Sequence, residues 1–150
     1  EIIALAGLWG LEGEAADLSR VRGVDTTDTV DAARDAAVAL ARYTGGAVVV
    51  SGEVDLITDG TTVAKSHGGS PLMSKITGCG CSQGGVLAVY ACVTDPFTAA
   101  VCGTAVYNVA GTRAAAVADA PASFKVAFID ELYRATAQDI ADNRLELEEA

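Results

Sequence analysis

The chain has 150 residues, 51% of them hydrophobic and 5% aromatic, and its 20 acidic and 10 basic side chains leave a formal net charge of −10. That apolar share excludes wholesale disorder, and no apolar run reaches the roughly 18 residues of a membrane span, so the chain reads as one soluble domain, 1–150, without an internal boundary. The acid excess offers no basic footprint for nucleic acid, so an anionic substrate must be held locally; with lysines only at 65, 75 and 125, the balance also resembles a salt-adapted surface.

Ile2–Ala6 is apolar but has no basic segment ahead of it, and Gly7 and Gly10 follow, so it does not read as a secretory signal. A first residue that is Glu and not Met predicts a processed or shortened start. Asp28 through Tyr43 carries apolar residues at helical spacing, with Asp28 as cap and Gly45–Gly46 as stop. Ala47–Val50 is a continuous β-branched run, the mark of a strand covered on both faces, and its place after a helix predicts a parallel α/β unit. Val54–Thr58 and Thr62–Lys65, joined through Asp59-Gly60, read as a hairpin, and Leu72–Ile76 as another short strand. From Ser82 onward the period is helical: Val86–Val93 and Phe97–Val117, punctuated by Asp95-Pro96, are apolar around most of their circumference and predict burial. Ser123–Arg134 reads as a helix capped by Ser123, and Thr136–Asp139 opens a last one. Glu146–Glu149 reads as a solvated acidic end.

Four cysteines stand at 79, 81, 92 and 102, with His67 as the one histidine. A Cys-x-Cys pair suits neither a common zinc site nor an easy disulfide. Cys92 and Cys102 fall in apolar helical patterns and read as small buried side chains. Reduced thiols fit a cytoplasmic protein.

Chemistry concentrates in Thr77-Gly78-Cys79-Gly80-Cys81-Ser82-Gln83-Gly84-Gly85, where four glycines fall within eight residues just before a helix. Glycines let the backbone turn tightly, and the free N–H groups and positive end of the helix meet at the same point. Such a loop binds anions, and a phosphoryl group in transfer gains most from it. Cys81, at the mouth of the helix, fits a base or a nucleophile because a helix N-terminus favours the thiolate; Cys79 shares the loop, and spacing does not separate the two. Gly80-Cys81-Ser82-Gln83-Gly84 also satisfies the Gly-x-Ser-x-Gly elbow of α/β-hydrolase esterases, with Ser82 as nucleophile. That fold needs a later histidine, and none follows residue 67.

The run His67-Gly68-Gly69-Ser70-Pro71-Leu72-Met73-Ser74-Lys75-Ile76-Thr77-Gly78-Cys79-Gly80-Cys81 closely resembles the signature of the hydroxyethylthiazole kinases, thiamin-salvage enzymes with a ribokinase-like fold. Glu1–Gly7 looks like the stretch that begins at the Glu of that superfamily's Asn-x-x-Glu motif. Arg22–Asp28, Val50–Asp55 and Pro121–Phe124 also look like family blocks, in the right order. The resemblance implies a three-layer α/β/α architecture with a mainly parallel sheet. It implies transfer of the ATP γ-phosphoryl group to the hydroxyl of 4-methyl-5-(2-hydroxyethyl)thiazole, with Mg²⁺, in a cytoplasmic trimer whose active sites lie at subunit interfaces.

Residue by residue, the resemblance puts Gly78, Cys79, Gly80 and Cys81 on the anion hole and Gly78 also on a substrate contact. It puts Cys81 where ribokinase relatives carry an Asp base. Ser51 falls where the family usually has an ATP-contacting Thr, and Glu1 on the acidic residue near Mg²⁺. Ser82–Gly85 departs from the Leu/Ser/Ala-rich helix start of the family. Family members are considerably longer, and the resemblance implies that this chain is the C-terminal portion of one kinase domain, with much of the thiazole pocket upstream of Glu1. The alternatives are a non-catalytic nucleotide-binding or assembly module and the Ser82 esterase.

Overall fold

Alternation along the strands splits their side chains between two separate cores. A computed structural model describes residues 1–11 and 33–150, and in it Val48–Val50 (β1), Asp55–Thr58 (β2), Thr62–Ser66 (β3) and Leu145–Glu149 (β4) form one sheet in that order. Leu56 and Val63 face one way, onto Ala37 and Val38, with Val48 and Val50 beside them. Ile57 and Ala64, opposite one another in register, face the other way onto Ala100, with Val49 and Phe97. A period of two makes one short strand serve both layers.

The first layer holds Ile2–Leu8 (α1) and Arg34–Thr44 (α2), the latter ended by Gly45 in the left-handed conformation. On the opposite face lies the 22-residue Pro96–Val117 (α4), with Asp95 accepting from the Thr98 amide at 3.0 Å as its cap. Cys79–Ala91 (α3) and Pro121–Arg134 (α5) pack on α4. Phe124, Phe128 and Tyr107 are buried together between α4 and α5, with the Tyr107 and Phe128 rings edge to face at 4.8 Å. Each such side chain contributes roughly 1.5–3 kcal/mol when fully buried. Ala137–Ala141 (α6), opened by the expected Thr136/Asp139 capping box, returns the chain to the sheet. The outcome is helices, sheet and helices in three layers.

Several expectations change. Every pairing among the described strands is antiparallel, not parallel, because short direct reversals join β1 to β2 and β2 to β3, whereas a parallel pair needs a crossover. Leu72–Ile76 is not a strand: Pro71–Lys75 forms a 3-10 turn, its first turn capped by the Ser70 hydroxyl accepting from Leu72 N at 3.2 Å. The helix expected from Val86 starts already at Cys79. Ser123 does not cap α5; its hydroxyl donates to the Ala120 carbonyl, and Ala120 takes the cap position before Pro121. Glu146–Glu149 is exposed, as expected of a charged end, yet it pairs with β3 through its backbone. Arg34 and Lys65 meet Glu148, both at 3.3 Å, and offset its charge there. Neither cysteine is buried as expected: Cys92 is exposed at the C-cap of α3, and Cys102 is only half-buried on α4. The proposed cap Asp28 and the block Arg22–Asp28 lie outside the described residues. Among the described residues, no helix is long and apolar enough to cross a membrane.

Candidate active site

Where the strand-end connections of the sheet face α3 and α4, a cavity of about 690 Å³ opens. The β1–β2 connection brings Ser51, Glu53 and Asp55 to its wall, the segment after β3 brings Gly68 to Ser70, and the start of α3 brings Cys79, Gly80 and Gln83. Tyr107 and Asn108 of α4 form its floor.

The α3 end has the features of an anion site. Gly78 precedes the helix at φ +84°, a left-handed conformation that favours glycine, and no side chain caps the helix. Ser82 N makes the first helical bond, to Gly78 O at 2.9 Å. Of the three amides before it, that of Cys79 is engaged with Ile76 O at 3.2 Å, which leaves those of Gly80 and Cys81 to a ligand. Nothing lies within 4 Å of where a Cβ would stand on Gly78 or Gly80, so a phosphate can approach the backbone closely.

Three residues expected on the basis of sequence therefore meet at one cavity: Ser51, Cys79 and Gly80. Gly78 and Cys81 flank the wall without lining it, and Cys81 is exposed on the first turn of α3. Glu1 holds the position before α1 without a side-chain capping bond, is exposed, and does not line the cavity. Ser82 lies inside regular helix, not on a strained elbow, and its hydroxyl is held 2.8 Å from Cys79 O and 2.6 Å from the Tyr107 hydroxyl. His67 sits at the end of β3, its Nε2 3.1 Å from Glu146 Oε1 but out of line for a hydrogen bond. No histidine reaches Ser82, so an esterase triad is not assembled among the described residues.

Sequence reasoning passed over the cavity's polar floor. Asp55 is buried; its Oδ1 accepts from Gly52 N and its Oδ2 from Asn108 Nδ2, each at 2.8 Å. Asn108 Nδ2 also donates to Ser66 Oγ at 3.1 Å, and Asn143 Nδ2 donates to the same oxygen at 3.0 Å. Burial pushes the Asp55 carboxyl above its ordinary range, while the Gly52 amide and Asn108 pull it back. This network holds the Ser51–Glu53 turn against α4. The one available signal was Tyr107-Asn108, two polar residues in the middle of a helix otherwise rich in small apolar ones.

Comparison with known proteins follows the same line. The model of the hydroxyethylthiazole kinase family matches residues 3–138. The chain belongs to the hydroxyethylthiazole kinase family. It is 46% identical over 162 aligned residues to a hydroxyethylthiazole kinase of Bifidobacterium longum (strain DJO10A), covering 97% of this chain and 52% of that protein. With one of Gemmatimonas aurantiaca the identity is 45%, over 93% of this chain and 47% of the relative. A solved hydroxyethylthiazole kinase structure from Pyrococcus horikoshii OT3 superposes with a TM-score of 0.72 at 28% identity, over 80% of this chain and 47% of that one. The chain thus carries part of the family's ribokinase-like α/β fold and spans about half the length of the curated relatives it matches.

Proposed function

We propose that this chain supplies the C-terminal, phosphoryl-handling portion of a hydroxyethylthiazole kinase domain. The reaction moves the ATP γ-phosphoryl group to the hydroxyl of 4-methyl-5-(2-hydroxyethyl)thiazole. The observation that carries this reading is the uncapped, glycine-rich start of α3 opening on the same cavity as Ser51, in a chain of this family. In that role the Gly80 and Cys81 amides, with Gly78 and Cys79 shaping the loop, meet the charge that develops on the γ-phosphoryl oxygens. Ser51 contacts the nucleotide and Gly78 the alcohol. Cys81 acts as the base that takes the hydroxyl proton as the alcohol oxygen bonds to phosphorus and the bond to the β-phosphate oxygen breaks, releasing ADP. A loose transition state asks little of its base, so a thiol suffices.

Among the described residues no three His, Cys, Asp or Glu side chains cluster as a metal cage would. Mg²⁺ is commonly held by one or two carboxylates together with phosphate oxygens and water, but Glu1, the residue the resemblance puts near it, does not line the cavity, and its place does not fit that mode. Exposed apolar side chains on α3 (Val89), just past it (Val93) and on α5 (Val126, Ile129, Tyr133) support assembly into a trimer, and the free thiols support a cytoplasmic setting.

Titrating the chain with the thiazole alcohol and ATP while following ADP release tests the reading, with Cys81→Ala alongside. Expected is measurable transfer, slowed but not abolished by Cys81→Ala, and weak alcohol binding that improves when the preceding segment of a relative is supplied. ATP binding without turnover under any of these conditions would favour a non-catalytic module.

A further inference from the structure

Helix α3 is poorly equipped to hold its own first turn. Glycines at 78, 80, 84 and 85 are weak helix formers, and only Cys79 and Gln83 of the helix are buried. A backbone with so little local support can rotate a peptide unit next to glycine easily. Yet the amides proposed to receive the phosphoryl group belong to this turn.

We propose that Tyr107 is the positioning residue of this loop: its hydroxyl fixes the Cys79–Gly80 peptide so that the Gly80 N–H points at the cavity. The inference rests on the reading of the loop as the phosphoryl site. Tyr107 is 1% exposed, wedged edge-on against Phe128, and carried by the longest helix of the fold. Its hydroxyl donates to the Cys79 carbonyl oxygen. The Ser82 hydroxyl closes a three-membered ring of contacts, 2.6 Å from the phenol oxygen and 2.8 Å from the same carbonyl.

The Cys79 carbonyl and the Gly80 N–H are the two ends of one planar trans peptide and point in opposite directions. Drawing the oxygen toward Tyr107 therefore sets the N–H away from α4. Gly80 lines the cavity wall, so that direction is the one a bound anion would use. Burial pushes the Tyr107 phenol far above its ordinary range, which keeps the proton on oxygen at any working pH. The donor is consequently in place before substrate arrives, the condition for electrostatic stabilisation without reorganisation.

Tyr107→Phe keeps the ring and removes only the hydroxyl. Backbone ¹⁵N order parameters at Gly80 and Cys81, kcat and KM for ATP and for the alcohol, and the melting temperature are measured on the whole chain. Misaiming one donor is expected to lower kcat about tenfold, below the roughly 10²–10³ of deleting one. KM for the alcohol should stay within about twofold, and the Gly80 order parameter should fall from the rigid range at about 0.85 toward the flexible range below about 0.6. Ser82→Ala should give a smaller loss in the same direction and Ser82→Thr, which keeps the hydroxyl, should restore wild-type kcat. An unchanged Gly80 order parameter in Tyr107→Phe, or an unchanged kcat, overturns the inference; so does a loss of kcat matched by general loss of the fold. Absence of phosphoryl transfer by the wild-type chain overturns the reading beneath it instead, and the Gly80 order parameter still decides whether Tyr107 sets the loop.

Discussion

Asn108→Ala removes the amide that ties the cavity floor to the sheet, and its effect should depend on pH. Two hydrogen bonds are lost, one to the buried Asp55 carboxylate and one to the Ser66 hydroxyl. A bond to a charged group contributes about 1.5–3 kcal/mol and one between neutral groups about 0.5–1.5, so the expected loss is roughly 2–4 kcal/mol at neutral pH. Ser66 keeps Asn143 as a partner, which places the larger share at Asp55. The carboxyl of Asp55 already titrates above its ordinary range in the folded chain. Its contribution to stability is therefore full below the unfolded pKa and declines as pH rises through the folded one. Without Asn108 to stabilise the anion, the folded pKa climbs further and that decline deepens. Urea unfolding of wild type and variant at pH 7 and near pH 4 measures the difference: the penalty should be clearly smaller at the acid pH. A penalty independent of pH would refute the argument that Asn108 acts through the Asp55 charge.

Other consequences follow from separate parts of the molecule. Arg113 holds the Asp139 carboxyl down to about 2, with Thr136 adding to the effect; Arg113→Gln should return its NMR titration toward the ordinary carboxylate value. The stability this lowered pKa confers is present above the unfolded pKa and disappears as pH falls through the folded value, so the variant should lose less on acidification than wild type. A methyl on Gly111 would stand 2.6 Å from Met73 Sδ and 3.0 Å from Gly69 Cα. Because backbone cannot yield as a side chain does, Gly111→Ala should displace the Gly68–Gly69 wall and weaken ATP binding, read by calorimetry. With a net charge of −10, the melting temperature should rise across a sodium chloride series as self-repulsion is screened; a flat response would remove the salt-adapted reading of the surface.

Much of the fold is legible from local chemistry. Asp59-Gly60 announces its hairpin because the Asp59 carboxylate collects the Thr61 and Thr62 amides and Gly60 takes φ +92°. Thr136 and Asp139 bind each other's backbone, so their spacing suffices. Ser70-Pro71, by contrast, was a cap and first turn hidden in a run that looked extended, since Leu72, Met73 and Ile76 are apolar for packing against α4 and α5 and not for a sheet. Pairing of an acidic tail with β3 could not be read from its charges, because a strand edge is satisfied through backbone groups.

The site divides in the same way. Glycine spacing before α3 by itself determined a tight turn into a helix start, because backbone freedom and a helix N-terminus are local properties, and the ordered motifs determined the family. Which amides remain free, how Ser51 comes to face them across one cavity, and why Ser82 is bound to Tyr107 and not poised as a nucleophile were decided by tertiary structure alone. Tyr107 and Asn108 lie some 25 or more residues from the groups they hold. Contacts at that separation depend on how α4 is laid across the sheet, and no local pattern carries that information.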